Sequence, residues 1–251
     1  MSDLNLSSLT ISIDLELEIG QATASQLDWL DDLTPELVAL LDSHKIAATW
    51  AVADPARSAA TDSILSSDLP HEMAVLGDRT WLGWGAGGSR ANRELARRIS
   101  GAAARQISIR TLVLHNESSF ANGLQLSELG IRTVRQPIGH EVLRPVSLMG
   151  LAKGLAVAEQ VQRLTLPKWW SWWEGESQLT ARCRQRTLLP ERATRHLGLD
   201  AQQLCSAGPR GLQRLANLLE ELCELRSRRQ VQLLTLQQWQ ERRVVAEKRA
   251  A

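Results

Sequence analysis

Strand-like and helix-like segments alternate along this chain from one end to the other, and that alternation restricts the fold more than any single motif. The first strand signal is Ile11-Ser12-Ile13-Asp14-Leu15-Glu16-Leu17-Glu18-Ile19, whose strict apolar/polar period gives a strand one greasy and one acidic face. Thr34-Pro35-Glu36 reads as an N-cap with proline at the first helical position, and Leu37, Leu40 and Leu41 form the apolar stripe behind it. A strand over Ile46–Val52 follows, then a small helix near Pro55–Leu65, a strand over Glu72–Leu76, and a helix opening near Ser89. Strands over Arg110–His115 and Ile131–Arg135 flank a helix around Leu124–Leu129, which ends at Gly130 as a natural C-cap. Pro209-Arg210-Gly211 leads into a long helix with Leu212, Leu215, Leu218, Leu219, Leu222 and Leu225 at helical spacing. Val231–Leu234 is a last strand before a charged terminal helix. Such alternation predicts parallel strands joined by helical crossovers, wound into an open sheet or closed into a barrel.

With 251 residues and 43% hydrophobic content, the chain can bury one sizeable core. The expected division is one domain over residues 1–238 and a charged helix or tail over 239–251. A net charge of +1 supplies no whole-molecule field for nucleic acid or an anionic membrane, so neither is expected as a partner. No secretory leader or spanning apolar run is visible, which predicts a cytoplasmic protein. Cys183, Cys205 and Cys223 lack close pairing and read as free thiols.

In parallel α/β folds, ligands collect at the carboxyl ends of the strands. Those ends offer Asp14 and Glu16, Asp54, Asp78 and Arg79, His115 and Asn116, and Arg135 and Gln136. Two local clusters add to these. Trp169-Trp170-Ser171-Trp172-Trp173 supplies flat indoles that suit packing, a sugar platform or a protein contact. Gly85-Ala86-Gly87-Gly88-Ser89 before a helix offers free amides that could cradle a phosphate, but it lacks the lysine and glycine spacing of the known phosphate loops and reads rather as a flexible loop. His44 reads as a partner of a helix C-terminus and His71 as a loop residue.

In their order, the elements and several short motifs resemble the polysaccharide deacetylase (NodB homology) superfamily, over roughly residues 9–136 and 196–238. Ser12-Ile13-Asp14-Leu15-Glu16 is similar to the family's opening Thr-Phe-Asp-Asp strand, and Ile46-Ala47-Ala48-Thr49-Trp50-Ala51-Val52 to its second strand. His71-Glu72-Met73-Ala74 resembles the lead into its metal motif. Leu126-Ser127-Glu128-Leu129-Gly130 resembles a later helix-to-strand turn, and Leu233-Leu234-Thr235-Leu236 the terminal strand. The resemblance implies an irregular (β/α) barrel of about seven parallel strands. It also implies a relationship to enzymes that remove acetyl groups from amino sugars with a divalent metal, usually zinc, held by one Asp and two His.

Carried over residue by residue, Asp14 falls on the family's catalytic base, but the metal-ligand aspartate is Leu15 and the two metal histidines are Leu76 and Thr80. Asp200 stands where the family's catalytic histidine is expected, with His196 four residues earlier. Leucine binds no metal and threonine is a weak ligand, so the ordinary site cannot assemble from these positions. No metal is expected unless zinc occupies a displaced site built from Glu16, Asp78, His115 or His196.

Three functions stay open. One is a metal-free, deacetylase-like barrel that binds a glycan or nucleotide sugar. Another is an active hydrolase of C–N bonds with a rearranged site around Asp14. The third is a protein-interaction module using the Trp cluster and the leucine-rich helix. The candidate catalytic residues are Asp14, Glu16 and His115. Asp78, Arg135, Trp172 and Trp173 are the candidates for contact with a carbohydrate or small-molecule ligand.

Overall fold

The computed structural model describes residues 7–15, 24–77, 89–114, 123–135, 156–158, 162–163 and 194–250. Within them the elements are β1 (Ser7–Leu15), α1 (Ala24–Ser43), β2 (Thr49–Val52), α2 (Ala60–Leu65), β3 (Glu72–Leu76), α3 (Ser89–Ala104), β4 (Thr111–Val113) and α4 (Gly123–Glu128). Next come β5 (Thr133–Arg135), β6 (Ala156–Ala158), β7 (Gln162–Arg163), β8 (Thr194–Asp200), α5 (Ala201–Ser227), β9 (Val231–Leu234) and α6 (Leu236–Ala250). The strands form one sheet in the order β6-β5-β4-β3-β2-β1-β8-β7, with β9 also paired to β1. Every pairing is parallel. Along β1, residues 7–10 pair with β9 and residues 12–15 with β2, so those two strands follow one another along the same edge while β8 takes the other.

The sheet is curled into a half-barrel. Arg135 on β5 bonds directly to Ser12 and Asp14 on β1, although three strands lie between them in the sheet order. In a flat sheet four strand steps of about 4.8 Å would separate them by about 19 Å, far beyond one side chain. Only curvature brings the two strands within reach of each other.

The two faces differ in chemistry. Leu9, Ile11, Ile13 and Leu15 of β1 join Trp50, Val75, Leu112, Val134, Leu197 and Leu199 in the main core, against Leu37 and Leu41 of α1 and Leu215, Leu219 and Leu222 of α5. The other face carries Thr10, Ser12, Asp14, Thr49, Glu72, Thr111, Thr133, Arg135 and His196, all buried, with Ala51, Ala74, Leu76 and Val113 as a small apolar cluster. Period-two alternation therefore separates a greasy helix-facing side from a polar interior.

Several sequence expectations are corrected. Among the described residues nine strands stand where about seven were expected, because β6 and β7 lie in a stretch without periodicity. Helix α1 starts at Ala24 and runs through Pro35 rather than opening there. Proline removes one ladder bond, and burial of Leu33, Leu37 and Leu41 holds the segment helical regardless. Helix α5 begins at Ala201, with a break at Gly208 (φ 58°, ψ −153°) just before the expected start at Pro209. Strand β2 begins at Thr49 and α2 at Ala60, later than expected, whereas β3 and β9 have the expected bounds. No helix among the described residues is long and apolar enough to cross a membrane.

Candidate functional site

Asp14 is the penultimate residue of β1 and Arg135 the last of β5, and the curled sheet aims them at each other. Arg135 Nη1 donates to Asp14 Oδ1 at 2.9 Å and Nη2 to Oδ2 at 2.6 Å, a two-pronged ion pair. Its side chains are only 2% and 10% exposed. Such a fork fixes the carboxylate plane as well as neutralising it. Each carboxylate oxygen still has a lone pair to offer after accepting one N–H.

Beneath this pair, Arg135 Nη1 also donates to Ser12 Oγ at 2.7 Å. Ser12 Oγ lies 3.0 Å from His196 Nε2, and His196 Nδ1 lies 2.7 Å from Thr10 Oγ1. Register explains the stack: Thr10 pairs with His196, Ser12 with Gly198, and Asp14 with Asp200. Gly198 carries no side chain of its own beside Ser12. Burial pushes the imidazole well below its ordinary pKa, and the positive charge of Arg135 adds to that. His196 is therefore neutral at pH 7.

A second buried network sits at the opposite ends of the strands. Glu72 accepts from Thr49 Oγ1 at 2.7 Å, from Thr111 Oγ1, and from the Gln237 backbone N–H at 2.8 Å. Leu236 N–H donates to Thr49 Oγ1 at 2.9 Å. The first turn of α6 thus points its free amides at an acceptor cluster, as helix N-termini favour. Burial raises the Glu72 pKa, opposed by these hydrogen bonds. This cluster ties α6 to the sheet and does not reach Asp14.

The sequence candidates divide accordingly. Asp14 and Arg135 are brought together. Glu16, Asp78, Arg79, His115, Asn116, Gln136 and the Trp169–Trp173 cluster, with Trp172 and Trp173, lie outside the described residues. Asp54 is committed to a turn and an ion pair: it accepts from Ala56 N–H at 3.2 Å and from Arg97 Nη2 at 2.8 Å. His44 Nδ1 lies 2.8 Å from Leu40 O at the end of α1. His71 accepts Ala48 N–H through Nδ1 and packs edge-on against Trp50.

Two of the three positions where the resemblance puts metal ligands are apolar and buried: Leu15 in the helix-facing core and Leu76 in the interior cluster. These positions do not fit a metal. Among the described residues no group of three His, Cys, Asp or Glu is arranged to hold one. Asp200 stands beside Asp14 by register.

Sequence reasoning missed Thr10 and Ser12. The signal was available, since both share the period-two face of Asp14, but a hydroxyl on a strand carries no motif. No protein-family model matches the chain, and no curated protein matches its sequence.

Proposed function

We propose that this chain is a polysaccharide-deacetylase-like (β/α) barrel that has kept its cleft and lost the hydrolytic metal centre, and that it binds a glycan or nucleotide sugar. One observation carries the reading. At the carboxyl end of β1, Asp14 is held in a fixed plane by Arg135, while Leu15 and Leu76, where the resemblance would put metal ligands, pack among apolar side chains. A carboxylate with spare lone pairs suits the hydroxyl and amide donors of an acetylated amino sugar. Without imidazole or a second carboxylate at those positions, nothing there can lower the pKa of a bound water in the way metal-assisted amide hydrolysis requires.

Metal analysis of the purified protein, paired with an acetate-release assay on acetylated chito-oligosaccharides, tests this directly. The reading predicts no stoichiometric zinc and no acetate. Turnover abolished by Asp14→Asn would replace it with an amide hydrolase built around Asp14.

A further inference from the structure

In the interior network below Asp14, only one hydrogen-bond polarity gives the Ser12 proton an acceptor. A guanidinium can only donate, so Ser12 Oγ accepts from Arg135 Nη1. Among the described residues, the one other group on that oxygen is His196 Nε2. If Nε2 carried the proton, it too would donate to Ser12 Oγ, and the serine proton would be left in a fully buried place without an acceptor. Such an orphan is costly in an interior of low dielectric. The serine hydroxyl therefore donates to Nε2. A neutral imidazole has a single N–H, which then sits on Nδ1 and donates to Thr10 Oγ1.

We propose that His196 is a positioning residue for the Asp14 site: as its Nδ1–H tautomer it draws the Ser12 hydroxyl toward itself, which turns that oxygen's lone pair to Arg135 and fixes the guanidinium on Asp14. The proposal rests on the reading of Asp14 as the centre of the ligand cleft. The chain runs in one direction, from Arg135 to Ser12 to His196 to Thr10, across strands β5, β1 and β8. Rotation of the Arg135 fork would break its bond to Ser12 Oγ and leave a buried guanidinium N–H without that acceptor, so the relay resists it.

The tautomer can be read directly in the full chain with ¹⁵N-labelled histidine at pH 7. The His196 signal is assigned by substituting His44, His71, His115 and His140 in turn. The expected pattern is a protonated Nδ1 and a bare, hydrogen-bonded Nε2, with the Nε2 resonance of Ser12→Ala moved toward that of an unbonded nitrogen. A proton on Nε2, an imidazolium, or an Nε2 signal unmoved in Ser12→Ala would overturn the relay. Positioning is read by titrating triacetylchitotriose. His196→Leu, which removes the acceptor, should weaken binding about tenfold, while His196→Gln, which restores an acceptor oxygen, should stay within about twofold of wild type. Equal affinity in wild type and His196→Leu would refute the positioning role. If wild type binds no triacetylchitotriose while the tautomer pattern is intact, the ligand reading fails and the relay stands.

Discussion

Asp14 and Arg135 are each costly to bury alone and acceptable only together. Removing one partner leaves an uncompensated charge, so Arg135→Met should lower stability by about 3–5 kcal/mol in urea unfolding, with the Asp14→Leu/Arg135→Met double variant recovering part of the loss. An Arg135→Met variant as stable as wild type would show that the pair is not buried. Glu72 makes a matching case at the other end of the sheet. Glu72→Ala removes the acceptor shared by the Thr49 and Thr111 hydroxyls and the Gln237 amide and should cost about 2–4 kcal/mol, whereas Glu72→Gln keeps an acceptor and should cost less. The alternation in β1 put Asp14 on a polar face from sequence alone. Its partner lies 121 residues away, and no local spacing links the two. Thr10 and Ser12 were legible as neighbours on that face but not as members of a relay, because His196 reaches them only through strand register.

Four helices end in the same way. After α1, α3, α4 and α5, a residue with positive φ is followed by an amide that bonds back five residues: Lys45 then Ile46 to Leu41, Gln106 then Ile107 to Ala102, Gly130 then Ile131 to Leu126, and Arg229 then Gln230 to Leu225. This left-handed C-cap satisfies carbonyls the helix cannot reach and aims the chain into the next strand. Only Gly130 announced itself in the sequence, since glycine is the residue whose presence there is diagnostic. Lys45, Gln106 and Arg229 adopt the same conformation at a steric cost. Lys45→Gly, Gln106→Gly and Arg229→Gly should each be neutral or stabilising, by up to about 1 kcal/mol, while Gly130→Ala should destabilise by about 1 kcal/mol; thermal melts decide it. At the start of α6, Gln238 N–H donates to Thr235 Oγ1 at 3.2 Å and Thr235 N–H to Gln238 Oε1 at 3.0 Å. This reciprocal pair is a capping box, and Thr235→Ala should cost about 1 kcal/mol.

At the largest scale, the described strands form one sheet whose curvature decides which polar groups meet. Parallel α/β character was legible because strand and helix periods alternate so regularly. The curl was not, since it is carried by side chains far apart in sequence, and β6 and β7 were not, since two- and three-residue strands leave no periodicity. Burial of neutral histidines costs the fold stability in acid. His196 and His71 both have pKa values lowered by burial, so below pH 6.5 the unfolded chain takes up protons that the native state refuses. Stability should therefore fall as the pH drops through 6.5, and His196→Gln should flatten that fall in denaturant titrations. In a Glu72→Gln background, which removes a buried carboxyl whose raised pKa acts in the opposite sense, a stability that rises on acidification through this range would contradict the burial of both rings. The central claim, a deacetylase-like cleft that works without a metal, is tested most directly by calorimetric titration of an acetylated chito-oligosaccharide into protein stripped with a chelator. The account predicts saturable binding that zinc does not improve and Asp14→Ala abolishes. Binding or acetate release that appears only when zinc is restored would contradict it.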